Sequence, residues 1–359
     1  MRRVTLSFLA LSIACGTKDP PKAPAPDAPK THLSPVEDLV PAAGLSWLVL
    51  ARPREIAAHA DMIVALHYFV SEERLNRFAV ANGGVDLRSI DELAIAKYPD
   101  TTLYLARTHL DPARVESAFA THLGSIEGRV IDRKGGRDEQ IVRAWGQASD
   151  GREQLAIFGI DAVGLEQGKF GPLRAAELFA DRRLKRASPA LRAAPLSRAA
   201  TLIKDAPLRA FAAGPFEGEW SKGFAGLLAA TTAVGIAVRL PTPTPTPMPN
   251  PTPTPTPTSV PLSFTLTLLG AWGADASAAS ERLLAVYGTL SSNPLGHLCG
   301  LDRPLTPPRA RTEPDALILD VTLDALALAR GLHLALDAQV DEIMRYGAPR
   351  APQPLTPVP

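Results

Sequence analysis

The chain has 359 residues, enough for about two domains and a sizeable core, and 46% of them are hydrophobic. Thirty-eight basic residues against thirty-seven acidic ones leave a net charge of +1, which excludes the global positive field of a nucleic-acid binder. Two cysteines, Cys15 and Cys299, exclude a disulfide-stapled scaffold.

The 35 prolines concentrate between Pro20 and Pro35, Pro241 and Pro261, and Pro349 and Pro359. Proline removes backbone donors and resists helix and sheet alike, so these stretches read as tether, insertion and tail.

The chain opens MRRVTLSFLALSIACG: Arg2 and Arg3 precede an apolar to weakly polar run from Val4 to Ala14. As a helix that run is roughly 16 Å long, short of the ~20 residues a permanent span needs, and it reads as a signal-peptide core. Ser12-Ile13-Ala14-Cys15, with Leu11 one place further out than usual, resembles the lipobox of bacterial lipoproteins. The resemblance implies cleavage before Cys15, diacylglycerol on its sulfur and a membrane held through N-terminal acyl chains. Gly16 after the cysteine implies the outer membrane. The Lys-, Asp-, Pro- and Ala-rich residues that follow suit a disordered tether.

The expected division is a signal peptide at 1–14, a lipidated tether at 15–40, a first half at 41–190, a second half at 207–346 and a tail at 347–359. In the first half, strand Trp47-Leu48-Val49-Leu50 leads to a helix from Glu55 to Ala79 with apolar residues at helical spacing. Leu93–Lys97 and Thr101–Arg107 form a hairpin, and Asp111-Pro112 starts a helix over Ala113–Leu123. Strands Arg129–Arg133, Gln140–Gly146 and Arg152–Ile160 follow, the last two joined at Asp150-Gly151, a strong hairpin signal. Pro172 opens a helix to Arg186.

After Pro207 the order restarts: strand Leu208–Ala212, helix Lys222–Thr232, strands Val234–Leu240 and Leu262–Leu269, helix Asp275–Leu290, strand Leu317–Leu323 and helix Ala325–Met344. The expected class is therefore α+β, with antiparallel or mixed sheets flanked by helices. Its two pseudo-repeated halves each run strand-helix-strand-strand-helix-strand. The repeat PTPTPTPMPNPTPTPTPT at 241–258 sits where Tyr98-Pro99-Asp100 joins the equivalent strands. That predicts an excursion from a hairpin, which a loop tolerates at about 0.6 kcal/mol per doubling of length.

Standard catalytic motifs are absent from the sequence, and no cofactor, metal or nucleic acid is expected. Four weaker constellations remain. His59, Asp61 and His67 share a helix but lack further ligands. Glu217 and Glu219 beside Trp220 form a carboxylate pair. Arg182, Arg183, Lys185 and Arg186, followed by Arg192 and Arg198 with only Asp181 opposing, form a basic patch suited to lipid phosphates or an anionic envelope polymer. Cys299 stands two residues from His297, yet a lone cysteine is more often a small buried hydrophobe.

The leading expectation is a non-catalytic envelope lipoprotein whose body contacts another envelope protein, a lipid or a polymer. The alternatives are an envelope hydrolase with a dispersed site, which needs Glu217, Glu219, His297 or Cys299 in one cleft, and a carrier of lipid or another small ligand, which needs a large apolar cavity.

Overall fold

A computed structural model describes residues 35–59, 62–132, 140–149, 151–169, 171–181, 184, 187–241 and 259–337. The signal peptide, Cys15, most of the Pro/Thr repeat, the basic residues Arg182, Arg183, Lys185 and Arg186, and the tail lie outside the described residues.

The strands are β1 (Trp47–Ala51), β2 (Glu92–Tyr98), β3 (Thr101–Arg107), β4 (Gly128–Asp132), β5 (Ile141–Ala148), β6 (Gly151–Phe158), β7 (Ala162–Gly168), β8 (Leu208–Ala213), β9 (Thr231–Arg239), β10 (Pro261–Gly270), β11 (Thr306–Glu313) and β12 (Ala316–Asp324). They form one 12-stranded sheet in the order β11-β12-β10-β9-β8-β1-β2-β3-β7-β6-β5-β4. Every pairing is antiparallel. The helices are α1 (Pro53–Ala58), α2 (Ile63–Phe69), α3 (Glu72–Ala81), α4 (Pro112–Leu123), α5 (Pro172–Ala180), α6 (Leu196–Ile203), α7 (Ala276–Ser292), α8 (Pro294–Leu298) and α9 (Ala325–Asp337).

The halves meet at β1 and β8, where Trp47 pairs with Ala212 and Ala51 with Leu208. Moving outward, Trp47 pairs with Lys97, Lys97 with Thr102, and Thr102 with Gln167. On the other side Leu208 pairs with Val238, Val238 with Phe264, and Phe264 with Val321. Strand for strand, the second half repeats the first about a pseudo-twofold axis through the Val49–Ala210 pair, an isologous contact within one chain. The first half adds the hairpin β4–β5 at its edge. The strands flanking the Pro/Thr repeat, β9 and β10, are hydrogen-bonded neighbours.

Local chemistry sets the helix limits. Asp111 accepts from the Ala113 N–H and Pro112 occupies the first turn of α4, which buries Val115, Phe119 and Leu123 four residues apart. The helix expected over Glu55–Ala79 is instead α1, α2 and α3. Val70 takes extended backbone at the end of α2, and Ser71 restarts the chain by accepting from the Arg74 N–H. The helix expected over Lys222–Thr232 does not form. Phe224, Ala225 and Gly226 all have positive φ, which a right-handed helix cannot accommodate, and from Thr231 onward the chain is strand.

Each sheet face has its own helices. On one, α5, α6 and the turn Val36–Leu39 cover a core that runs across both halves, from Leu105 and Leu48 to Phe211 and Ile318. On the opposite face α4 packs over the first half around Phe119 and Leu155. There α7 packs over the second half around Leu283 and Leu317, and α2 and α9 close its end around Ala65, Leu262 and Ala329.

Candidate functional site

The α4–α7 face leaves its centre uncovered. One residue per strand from β3 to β10, namely Tyr104, Ile95, Val49, Ala210, Ile236 and Leu266, forms a single cross-sheet row. Paired residues project from the same face, so the row is an apolar strip centred on the pseudo-twofold axis. The helices stand to either side: α4 against β5 and β6, α7 against β11 and β12, and α9 against β12. Leu165 and Val163 at one margin belong to the α4 cluster, and Leu266 and Val234 at the other to the α7 cluster. Val49, Ile95, Tyr104 and Ala210 between them are half-buried, and Ile236 and Trp47 are exposed. The gap from β3 to β9 is about 19 Å wide at ~4.8 Å per strand.

The flanking helices extend this apolar character. Ile63, Val64, Tyr68 and Phe69 of α2 and Leu332, Leu334 and Leu336 of α9 are exposed, Leu336 at 71%. Arg330 of α9 stacks over the Tyr68 ring at 4.7 Å and donates to its hydroxyl, fixing the two helices together. Among the described residues, α5, α6 and Val36–Leu39 on the other face expose no large apolar side chain.

A second feature lies where the first described residues meet the sheet. Val36, Glu37, Arg52, Glu92, Asp205 and Arg209 line a charged cleft of about 170 Å³ at one end of the β1–β8 seam. Arg52 pairs with Asp205 at 2.8 Å, Arg209 with Glu37, and the Val36 N–H donates to Glu92 at 2.7 Å. These bonds hold the first described turn against both halves.

The residues singled out in the sequence go to separate partners. His59 donates through Nε2 to the Pro241 carbonyl at 2.8 Å, whereas His67 lies 3.4 Å from the Glu72 carboxylate. Asp61 lies outside the described residues, among which no cluster of metal-ligating side chains occurs. Glu219 pairs with Lys222 at 2.7 Å beside an exposed Trp220, and Glu217 precedes that short turn. His297 Nδ1 meets Asp302 at 2.9 Å. Arg192 and Arg198 are opposed by Asp38 and Asp315, at 2.6 and 2.8 Å, rather than by Asp181 alone.

Cys299 is buried, and that burial pushes its thiol above the ordinary range, away from the thiolate a nucleophile needs. Alkylation of the native protein at Cys299 is expected to run at least about tenfold slower than after unfolding. A mass-spectrometric time course checks this, and equal rates would contradict it.

Two functional-looking groups carry no sequence motif. Glu166 on β7, beneath the start of α5, and Glu177 on α5 itself are buried carboxylates. Glu166 Oε1 accepts from the Gly171 and Leu173 N–H groups at the start of α5, while Oε2 has no protein partner. Burial pushes the Glu166 carboxyl up to about 7 and raises that of Glu177 as well. Glu177 is met by Arg174 and Arg143.

No family model matches this chain, and no curated protein matches it. Among solved structures it is similar to one described as "Structure of crystal form IV of TP0453", with a TM-score of 0.43 and 9% identity over 80% of this chain and 94% of that one. A likeness at that level carries no inference about function.

Proposed function

We propose that this chain is a non-catalytic lipoprotein of the bacterial cell envelope, tethered by acyl chains on Cys15 to the outer membrane, with the twelve-stranded body as a binding module. The observation that carries the reading is the run MRRVTLSFLALSIACG followed by a proline-rich tether. Two arginines, an apolar core too short to span, and a cysteine behind a small residue are what lipoprotein processing requires. Two acyl chains or more give stable anchoring, each buried CH2 contributing about 0.8 kcal/mol.

The body supports the binding half of the reading. Of Glu217, Glu219, His297 and Cys299, on which a dispersed hydrolase site would draw, the last three are taken up separately by Lys222, by Asp302 and by the core. The apolar strip over β1 and β8 offers instead a surface with few ionisable groups.

Metabolic labelling with a clickable fatty acid tests the anchor. The wild type is expected to carry label, and Cys15→Ser to lose it and accumulate as uncleaved precursor. Absence of label on the wild type would overturn the reading.

A further inference from the structure

We propose that the molecule lies on the membrane with the α2–α9 side of its sheet against the lipid, so that these helices and the neighbouring strip are a bilayer-docking surface. The inference rests on the anchored reading above and adds to it which face meets the bilayer.

The first observation is asymmetry. Among the described residues, α2 exposes Ile63, Val64, Tyr68 and Phe69 and α9 exposes Leu332, Leu334 and Leu336, the largest such groups on any helices, while α3 exposes Phe78 and Val80, α7 Leu290 and α8 Leu295. The helices of the other face contribute none. Apolar side chains gathered on two packed helices and left open to solvent mark an interaction site.

The second observation is charge. Helix α2 contains no carboxylate and α9 contains one, Asp337 at its last position; the other ionisable residues of the two helices are His67, Arg330 and His333, with Glu72 of α3 3.4 Å from His67. Large apolar side chains with few charged groups between them suit the interface of a bilayer, where aliphatic groups enter the acyl boundary and a basic group such as Arg330 meets phosphates. A protein partner recognised by charge would call for ionic pattern, which these helices lack.

The third is reach. Gly16 to Ser34 places nineteen residues between Cys15 and the first described residue, Pro35, a maximum span of roughly 60 Å. The chain can therefore turn either sheet face to the membrane, and the chemistry of the faces decides between them. The bilayer contact is interfacial: among the described residues no helix is long and apolar enough to cross.

The test uses the full-length lipidated protein in vesicles of phosphatidylethanolamine and phosphatidylglycerol. Single cysteines are introduced as Val64→Cys and Leu336→Cys, with Thr201→Cys on α6 as the control. An environment-sensitive fluorophore is attached, and quenching by spin-labelled lipid is read. Native Cys299 is buried and the acylated Cys15 is blocked, so label reports the introduced sites. Quenching at 64 and 336 is expected to exceed that at 201 several-fold. Equal quenching at all three sites overturns the docking while leaving the anchor intact. Protection at 64 and 336 that follows protein density rather than lipid is a contact between copies and overturns it too. Failure of the anchor itself appears separately, as loss of fatty-acid label on the wild type.

Discussion

Replacing Leu48 with alanine is expected to cost about 2–5 kcal/mol and to unfold both halves of the sheet in one transition. Leu48 is fully buried in β1, paired with Ala96 on one side and Phe211 on the other. It sits in the core that continues from Leu105 in the first half to Ile318 in the second. A cavity there weakens the seam itself, and neither half has a separate core on that face to fall back on. The exposed β4 position Val130 serves as control, with Val130→Ala expected to change stability by less than about 0.5 kcal/mol. Urea unfolding followed by circular dichroism and by tryptophan fluorescence checks both statements. Trp145 reports on the first half and Trp272 on the second. Two separated transitions would show that β1 and β8 join independent units, contrary to this expectation.

The α+β class was legible in the sequence because its strongest signals are local. The β2–β3 hairpin, α4 with its Asp111-Pro112 start, and the strands on either side of Gly151 all announce themselves within a dozen residues. Elements defined by distant partners were not legible. Strand β7, Ala-Val-Gly-Leu-Glu-Gln-Gly, lacks apolar alternation, because Glu166 is buried as the internal cap of α5. Gly164 leaves room for Leu173: a Cβ there would stand 2.5 Å from the Leu173 side chain. Strand β11 carries Pro307 and Pro308, tolerated because it is the sheet edge. Helix α6 hides in an Ala- and Pro-rich stretch that reads as linker, and it forms by burying Leu196, Ala199 and Ile203. Its packing needs Gly235 on β9, where a Cβ would come within 3.2 Å of Ile203.

The apolar strip illustrates the same limit. Val49, Ile95, Tyr104, Ala210 and Ile236 each look like ordinary core positions of their strands. That they form one row, and that the row falls in the gap between α4 and α7, depends on a strand order joining residues more than a hundred apart. What the sequence does carry is the composition of α9, Ala-Leu-Ala-Leu-Ala-Arg-Gly-Leu-His-Leu-Ala-Leu, apolar around most of its circumference. A helix that is apolar all round is buried or meets lipid. Leu332, Leu334 and Leu336 are not buried.

The protein is also expected to lose stability as pH rises from about 5 to 7.5, with Glu166 as the main source. Burial holds the folded Glu166 carboxyl at about 7, against an ordinary 4.5. The folded state therefore binds its proton more tightly than the unfolded chain. Between those two values folding takes up a proton, so each step upward in pH favours the unfolded state. The integrated loss is on the order of 2 kcal/mol. Glu177 and Asp181, also raised by burial, act in the same direction. Asp86, Asp100 and Asp315 are lowered, chiefly by hydrogen bonds from Arg88, Lys169 and Arg198, and their contribution is lost only in the acid range below the ordinary carboxylate pKa. Glu166→Gln keeps an oxygen to accept from Gly171 and Leu173 while removing the buried charge. It is expected to flatten the pH dependence and to raise Tm at pH 8 by a few degrees. Thermal melts of both proteins from pH 5 to 8 decide the matter. An unchanged slope in the variant would remove Glu166 from the account and leave the dependence to Glu177 and Asp181, whose carboxyls sit at the other end of the same helix.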